Sequence, residues 1–164
     1  MHAPSTSALI DRLQRFPARV ATLLEGIPAS RHRLRPPAGG FSLTEHLCHL
    51  RDLEREGFLL RIRRIVDEDM PELQEIDGTT LAEERDYQAQ DPGEAWQGWR
   101  AAREETVAAL RRALPAHAQR TGIFGGFGVI TLQALAEGIA GHDEQHWAEL
   151  SALVDCGGSR LSPG

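Results

Sequence analysis

Lysine is absent from this chain of 164 residues, and all 18 of its lysine-or-arginine positions hold arginine. This absence excludes chemistry that needs a lysine amine, such as Schiff-base formation or phosphate binding in a P-loop. Cysteine is scarce, and Cys48 and Cys156 lack CxxC spacing, so we expect neither a disulfide framework nor a zinc knuckle. Apolar runs of roughly 18 to 20 residues are also missing, which excludes a membrane-spanning helix.

Composition and charge narrow the class of protein further. Hydrophobic residues make up 41% of the chain and charged residues 26%, as in globular proteins, and the length fits one domain over residues 1–164. The net charge of −6 argues against strong binding to nucleic acid. Asp11 and Arg12 interrupt the first apolar segment, so we expect no secretory signal and a cytoplasmic location.

Four segments show apolar residues at helical spacing, which predicts an all-α fold. The expected helices cover residues 6–25, 42–66, 92–114 and 131–154. We therefore predict a four-helix bundle. Between the second and third helices, residues 67–91 form a long, acidic crossover that would let those two helices lie parallel.

Several shorter signals refine this prediction. Ser42 and Glu45 stand at the ends of a capping box, which predicts the start of the second helix. Gly157 and Gly158 are expected to close the fourth helix. The glycine-rich segment 121–128 is interpreted as a flexible loop near the functional site, because it follows a helix and lacks the spacing of a phosphate-binding loop.

Histidines at central positions of the fourth helix are the main functional signal. His142 and His146 stand four residues apart, so both rings lie on one helix face within reach of a single metal ion. The alternative is a pair of histidines bonded to carboxylates or turned to water. Asp143 follows the first histidine, so the HExxH pattern of a metalloprotease is absent.

A third ligand is expected from the second helix, which contains His46 and His49. The main apolar stripe of that helix lies nearer His46, and periodicity alone does not decide between the two. A histidine packed between helices or exposed to solvent is an alternative for His46. Cys48 points about 100° away from His49, so a site that uses both is strained.

Two segments together resemble the DinB-like superfamily of four-helix-bundle metalloproteins. Residues 41–54, FSLTEHLCHLRDLE, are similar to the capped second helix of that family, and residues 142–150, HDEQHWAEL, to its fourth helix. Phe41 stands where the family often has tryptophan. The resemblance implies His49, His142 and His146 as metal ligands, a long crossover after the second helix, and a homodimer.

Three imidazoles would leave coordination positions open, as in catalytic rather than purely structural sites. Imidazole ligands suit Zn²⁺, Ni²⁺ or Fe²⁺. Three acidic residues lie near the expected ligands and are candidates to orient their rings: Asp52, Asp143 and Glu149. The basic run 61–64 is interpreted as a solvated helix face, with binding of an anion such as a thiol carboxylate as the alternative.

These observations support a divalent-metal-dependent enzyme that acts on a small molecule. Metal-activated water would make it a hydrolase, and a metal-bound thiolate from a low-molecular-weight thiol would make it a transferase, since the family resemblance includes both. The alternative is a non-enzymatic, metal-binding stress-response protein with a structural ion. A DNA-associated damage-response factor is disfavoured by the acidic charge.

Overall fold

The four long helical segments expected from the sequence are present in the computed structural model, which describes residues 5–155. The second segment is continuous through α2, a π-helical turn and α3. The elements in chain order are α1 (Thr6–Glu25), α2 (Leu43–Asp52), the π-helical turn (Leu53–Phe58), α3 (Leu59–Asp67), β1 (Glu72–Leu73), α4 (Gly78–Glu84), α5 (Pro92–His117), β2 (Thr121–Phe124), β3 (Gly128–Thr131) and α6 (Leu132–Asp155). The predicted four-helix bundle is confirmed.

Side-chain caps fix the starts of the two helices that carry the site histidines. The hydroxyl of Ser42 accepts from the Glu45 N–H at 3.3 Å, and the Glu45 carboxylate accepts from the Ser42 N–H at 2.8 Å. This is the predicted capping box. At the start of α6, the Thr131 hydroxyl accepts from the Ala134 N–H at 3.0 Å.

A small three-stranded sheet is the main addition to the prediction. β1 pairs in parallel with β2, and β2 pairs antiparallel with β3. Residues 121–128, interpreted as a flexible loop, are instead β2 and a short 3-10 turn that leads into β3. The prediction of a loop was wrong because strands of four residues with glycine between them carry little periodicity.

The end of one helix and the crossover also differ from the sequence prediction. α5 continues through Pro115 to His117, one turn beyond the expected end. The crossover at 67–91 contains β1 and α4, which its weak periodicity did not predict. Among residues 5–155, no helix is long and apolar enough to cross a membrane. His2, Cys156, Gly157 and Gly158 lie outside the described residues.

A polar layer crosses the middle of the bundle. One apolar cluster contains residues near the start of α6, such as Ile139, and the other contains residues near its end, such as Leu150. The buried polar residues of α6 lie between these two clusters in sequence. On α5, Arg103 likewise separates Trp99 of one cluster from Val107 of the other. The functional candidates therefore belong to one layer of the bundle.

Candidate metal centre

Three histidine rings from two helices converge in this polar layer. His142 Nε2 lies 3.0 Å from His146 Nε2 and 3.4 Å from His49 Nε2. One ligand atom from each residue falls within 4.8 Å of the others. Ligands in a tetrahedral zinc site, with Zn–N distances of about 2.0 to 2.1 Å, lie about 3.3 Å apart. The spacing of these nitrogens therefore fits a shared divalent ion.

Burial keeps the three imidazoles in the neutral form that binds metal. Desolvation lowers the pKa of His142 to about 2 and the pKa of both His49 and His146 to about 4. The charges of neighbouring histidines contribute to these low pKa values of His142 and His49. Nδ1 of His142 is buried without a hydrogen-bond partner among the described residues. Near neutral pH, protons therefore compete weakly for the ligand nitrogens.

A fourth histidine, His46, is also part of the cluster. Its ring is buried, and its Nδ1 lies 3.1 Å from Nδ1 of His146. The Glu149 carboxylate is 3.2 Å from His146 Nδ1 and 3.8 Å from His46 Nε2. His46 and His49 therefore both reach His146, and the three-residue spacing between them was the signal for this. The alternative of a solvent-exposed His46 was wrong.

Only one of the three acidic residues expected near the ligands contacts a site histidine in the described part of the chain. That residue is Glu149. Asp52 accepts from the Tyr87 hydroxyl at 2.9 Å and pairs with Arg51 and Arg85. Oδ2 therefore faces the end of α4 and the following turn, and Oδ1 is bonded to Arg51 of α2. An imidazole-orienting role for Asp52 therefore has no support in its contacts.

Asp143 belongs to a buried network centred on Arg103, which the sequence analysis missed. The Arg103 guanidinium, 1% exposed, donates to Asp143 at 2.7 and 2.8 Å and to Glu54 at 2.9 and 2.8 Å. The indole N–H of Trp99 also donates to Glu54. This network joins α5 and α6 to the π-helical turn. Such turns within α-helices are common at functional sites. Asp143 positions α6 and does not contact the imidazoles.

A close approach between Gly78 and His49 supports the position of that ring. A Cβ atom added to Gly78 would lie 2.6 Å from His49 Nδ1. We expect Gly78→Ala to displace the ring and to lower the affinity for Zn²⁺ by about 10- to 100-fold, the range for lost ligand support. Competition with a chromogenic chelator measures this affinity.

Gly141→Ala is the matched control, because a Cβ atom there meets no other atom within 4 Å. Its Zn²⁺ affinity should equal that of the unmodified protein. Equal affinities for Gly78→Ala and Gly141→Ala would show that the contact at Gly78 does not hold the His49 ring.

The chain is similar to known proteins in both sequence and structure. A family model described as the DinB superfamily matches residues 12–150. The solved structure of YfiT from Bacillus subtilis matches with a TM-score of 0.83 and 21% identity, over 96% of this chain and 90% of that one. YfiT is described as a probable metal-dependent hydrolase with an unusual four-helix bundle topology. No curated protein matches the chain.

Proposed function

Because the chain belongs to the DinB superfamily, we propose that it is a divalent-metal-dependent hydrolase of a small molecule. His49, His142 and His146 are the proposed ligands. The observation that carries this proposal is that Nε2 of His142 lies 3.0 Å from Nε2 of His146 and 3.4 Å from Nε2 of His49. The description of YfiT as a probable metal-dependent hydrolase supports the same reaction class.

The ligand set suits a catalytic ion. Three protein ligands are the usual number in catalytic zinc sites, and imidazole equally suits Ni²⁺ or Fe²⁺. When bound, such an ion supplies a Lewis acid that activates water and polarises the bond to be broken. A low-molecular-weight thiol as a second substrate is implied by the family resemblance alone.

The residues of this chain bind and orient in the proposed reaction. His46 and Glu149 lie against Nδ1 of His146 and hold that ring with its Nε2 toward the other two ligands. Such contacts fix the tautomer of a ligating histidine and raise its basicity. The Arg103 network fixes α6 against the π-helical turn one residue from His142.

Hydrolysis that requires metal tests this proposal. We expect the zinc-loaded protein to cleave esters such as para-nitrophenyl acetate, chelation to abolish cleavage, and added Zn²⁺, Ni²⁺ or Fe²⁺ to restore it. The control is His117→Ala at the end of α5, which should retain full activity. If chelation leaves hydrolysis unchanged, or no ester or amide is cleaved, the proposal is wrong.

The effect of chelation on stability distinguishes a catalytic ion from a structural ion. Chelation should change the free energy of unfolding only slightly if the ion is catalytic, because the bundle has its own apolar core. Strong melting on chelation, without any hydrolysis, would favour a structural ion in a non-enzymatic stress-response protein.

We also propose a cytoplasmic location and a homodimer, both on the basis of the sequence. Cysteine usage supports a cytoplasmic protein, and the family resemblance supports a homodimer. The net charge of −6 supports a small-molecule substrate rather than nucleic acid.

A further inference from the structure

A cavity of about 450 Å³ reaches one of the proposed metal ligands, His142, which forms part of its wall. Small-molecule sites commonly measure roughly 300 to 1,000 Å³ and are mostly apolar. The other walls of this cavity come from the π-helical turn, α3, the segment between β1 and α4, the β2–β3 pair and α6. They include Phe58, Phe124, Ile130 and Leu135. The cavity therefore offers an apolar surface next to the centre where hydrolysis is proposed.

Arg61 is the one cation among the residues that line this cavity. The sequence suggested a solvated helix face, but Arg61 is only 5% exposed. The other two arginines of the run, Arg63 and Arg64, pair at the surface with Glu105 and Glu68. Arg61 is buried because it lies one turn after Phe58 and one turn before Ile65, both in the core.

The Arg61 guanidinium has unused hydrogen-bonding capacity. Its Nε and Nη2 both donate to the Gln74 carbonyl, at 3.1 and 2.7 Å, and the group lies 4.4 Å from the centre of the Phe124 ring. Within residues 5–155 these are the hydrogen bonds of the group, so its Nη1 makes none and no carboxylate pairs with it. Its Nη1 is not fully buried, so water in the cavity can solvate it, and an anion that displaces this water gains a charge-assisted hydrogen bond. The position therefore favours an anion from outside the chain.

Glu75 is the acidic residue among those that line this cavity, and it lies at the rim. It is exposed, and its carboxylate accepts from the Gly126 N–H at 3.0 Å. Burial lowers the pKa of Arg61, whereas the charge of Glu75 raises it. The guanidinium remains charged in any case. Glu75 does not form an ion pair with Arg61, but its negative charge should weaken the binding of an anion in the cavity.

We propose that this cavity binds the substrate, and that the substrate is a small molecule with an apolar body and one carboxylate, which pairs with Arg61. One cation in an apolar wall matches a singly charged group, and a guanidinium binds a carboxylate in a bidentate geometry. The assignment as substrate rests on the hydrolase function proposed above, because the cavity is functional only if the neighbouring histidines hold a catalytic ion.

Calorimetric titration with hydrocinnamate and its neutral amide tests the charge preference. Both probes have the same apolar body, and only the acid is charged. We expect the full-length protein to bind the acid about tenfold more tightly than the amide. The preference should disappear in Arg61→Gln, persist in Arg63→Gln, and increase in Glu75→Gln. Equal binding of acid and amide, or an unchanged preference in Arg61→Gln, would overturn the proposal.

A steric test keeps the proposal falsifiable if Arg61→Gln does not fold. Gly138 lines the cavity, and a Cβ atom there meets nothing within 4 Å. A leucine side chain at this position would project into the cavity and occupy part of it, so Gly138→Leu should bind hydrocinnamate about tenfold more weakly. Gly141→Leu, on the same helix but away from the cavity walls, should bind normally. Unchanged binding in Gly138→Leu would place the probe elsewhere.

The same titrations after chelation separate this proposal from the proposed function. Binding of the acid in the cavity should persist without metal, because Arg61 and the apolar walls supply it. Carboxylate binding without metal-dependent hydrolysis would leave the binding site valid and remove the catalytic function. Hydrolysis without a carboxylate preference would do the reverse.

Discussion

Alanine in place of His142 or His146 should lower the affinity for Zn²⁺ by more than about 100-fold while the protein remains folded. Loss of a supporting residue near a ligand already costs about 10- to 100-fold, and each of these variants removes a ligand nitrogen itself. Both rings lie within 3.4 Å of another ligand nitrogen, so one alanine leaves two donors. Chelator competition gives the affinity, and circular dichroism reports the helix content.

The size of the effect should follow the position of each ring. His46→Ala should lower the affinity for Zn²⁺ by about 10- to 100-fold, because His46 contacts Nδ1 of His146 and does not belong to the Nε2 cluster. The control is His117→Ala, which should retain the affinity of the unmodified protein. Equal affinities in all four variants would refute the ligand assignment, and so would a loss confined to His46→Ala.

Arg103→Met should lower the free energy of unfolding by about 3 to 5 kcal/mol, the usual cost of removing one partner from a buried ion pair. The carboxylates of Glu54 and Asp143 would remain buried without their shared donor. Burial raises the pKa of Asp143 to about 6 even in the presence of Arg103, which indicates how poorly that charge is solvated. Denaturant unfolding in the presence of a chelator measures the change without a contribution from metal.

Arg100→Met is the matched control for this measurement. Arg100 lies on the same helix and is exposed, and its guanidinium lies 5.8 Å from the centre of the Trp96 ring. Its replacement should change the free energy of unfolding by less than about 0.5 kcal/mol, as is usual at surface positions. A loss below about 1 kcal/mol in Arg103→Met would mean that the network contributes little to stability.

The long helices could be predicted from the sequence because their signals are local. α1 occupies the predicted residues, and the capping box places the start of α2 at the predicted position. The sheet depends on a pairing between Glu72–Leu73 and Ile123–Phe124, which are about fifty residues apart in the sequence. Periodicity within a segment contains no information about such a pairing.

Part of the candidate site could be predicted from the sequence, because that part also has a local signal. The spacing of His142 and His146 indicated a shared face, whereas periodicity left His46 and His49 undecided. Both of these histidines reach α6. Arg103 and Glu54 were missed, although a glutamate in the apolar stripe of the second helix was a signal of a buried partner. The division into one domain stays a prediction.

The metal content of the untagged protein tests directly whether the three histidines bind a metal ion. The protein would be purified without exposure to affinity-resin metal and measured by elemental analysis, before and after incubation with Zn²⁺, Ni²⁺ or Fe²⁺. We predict close to one divalent ion per chain. A folded protein that contains no metal and takes up none of the three ions would show that His49, His142 and His146 do not form a metal site.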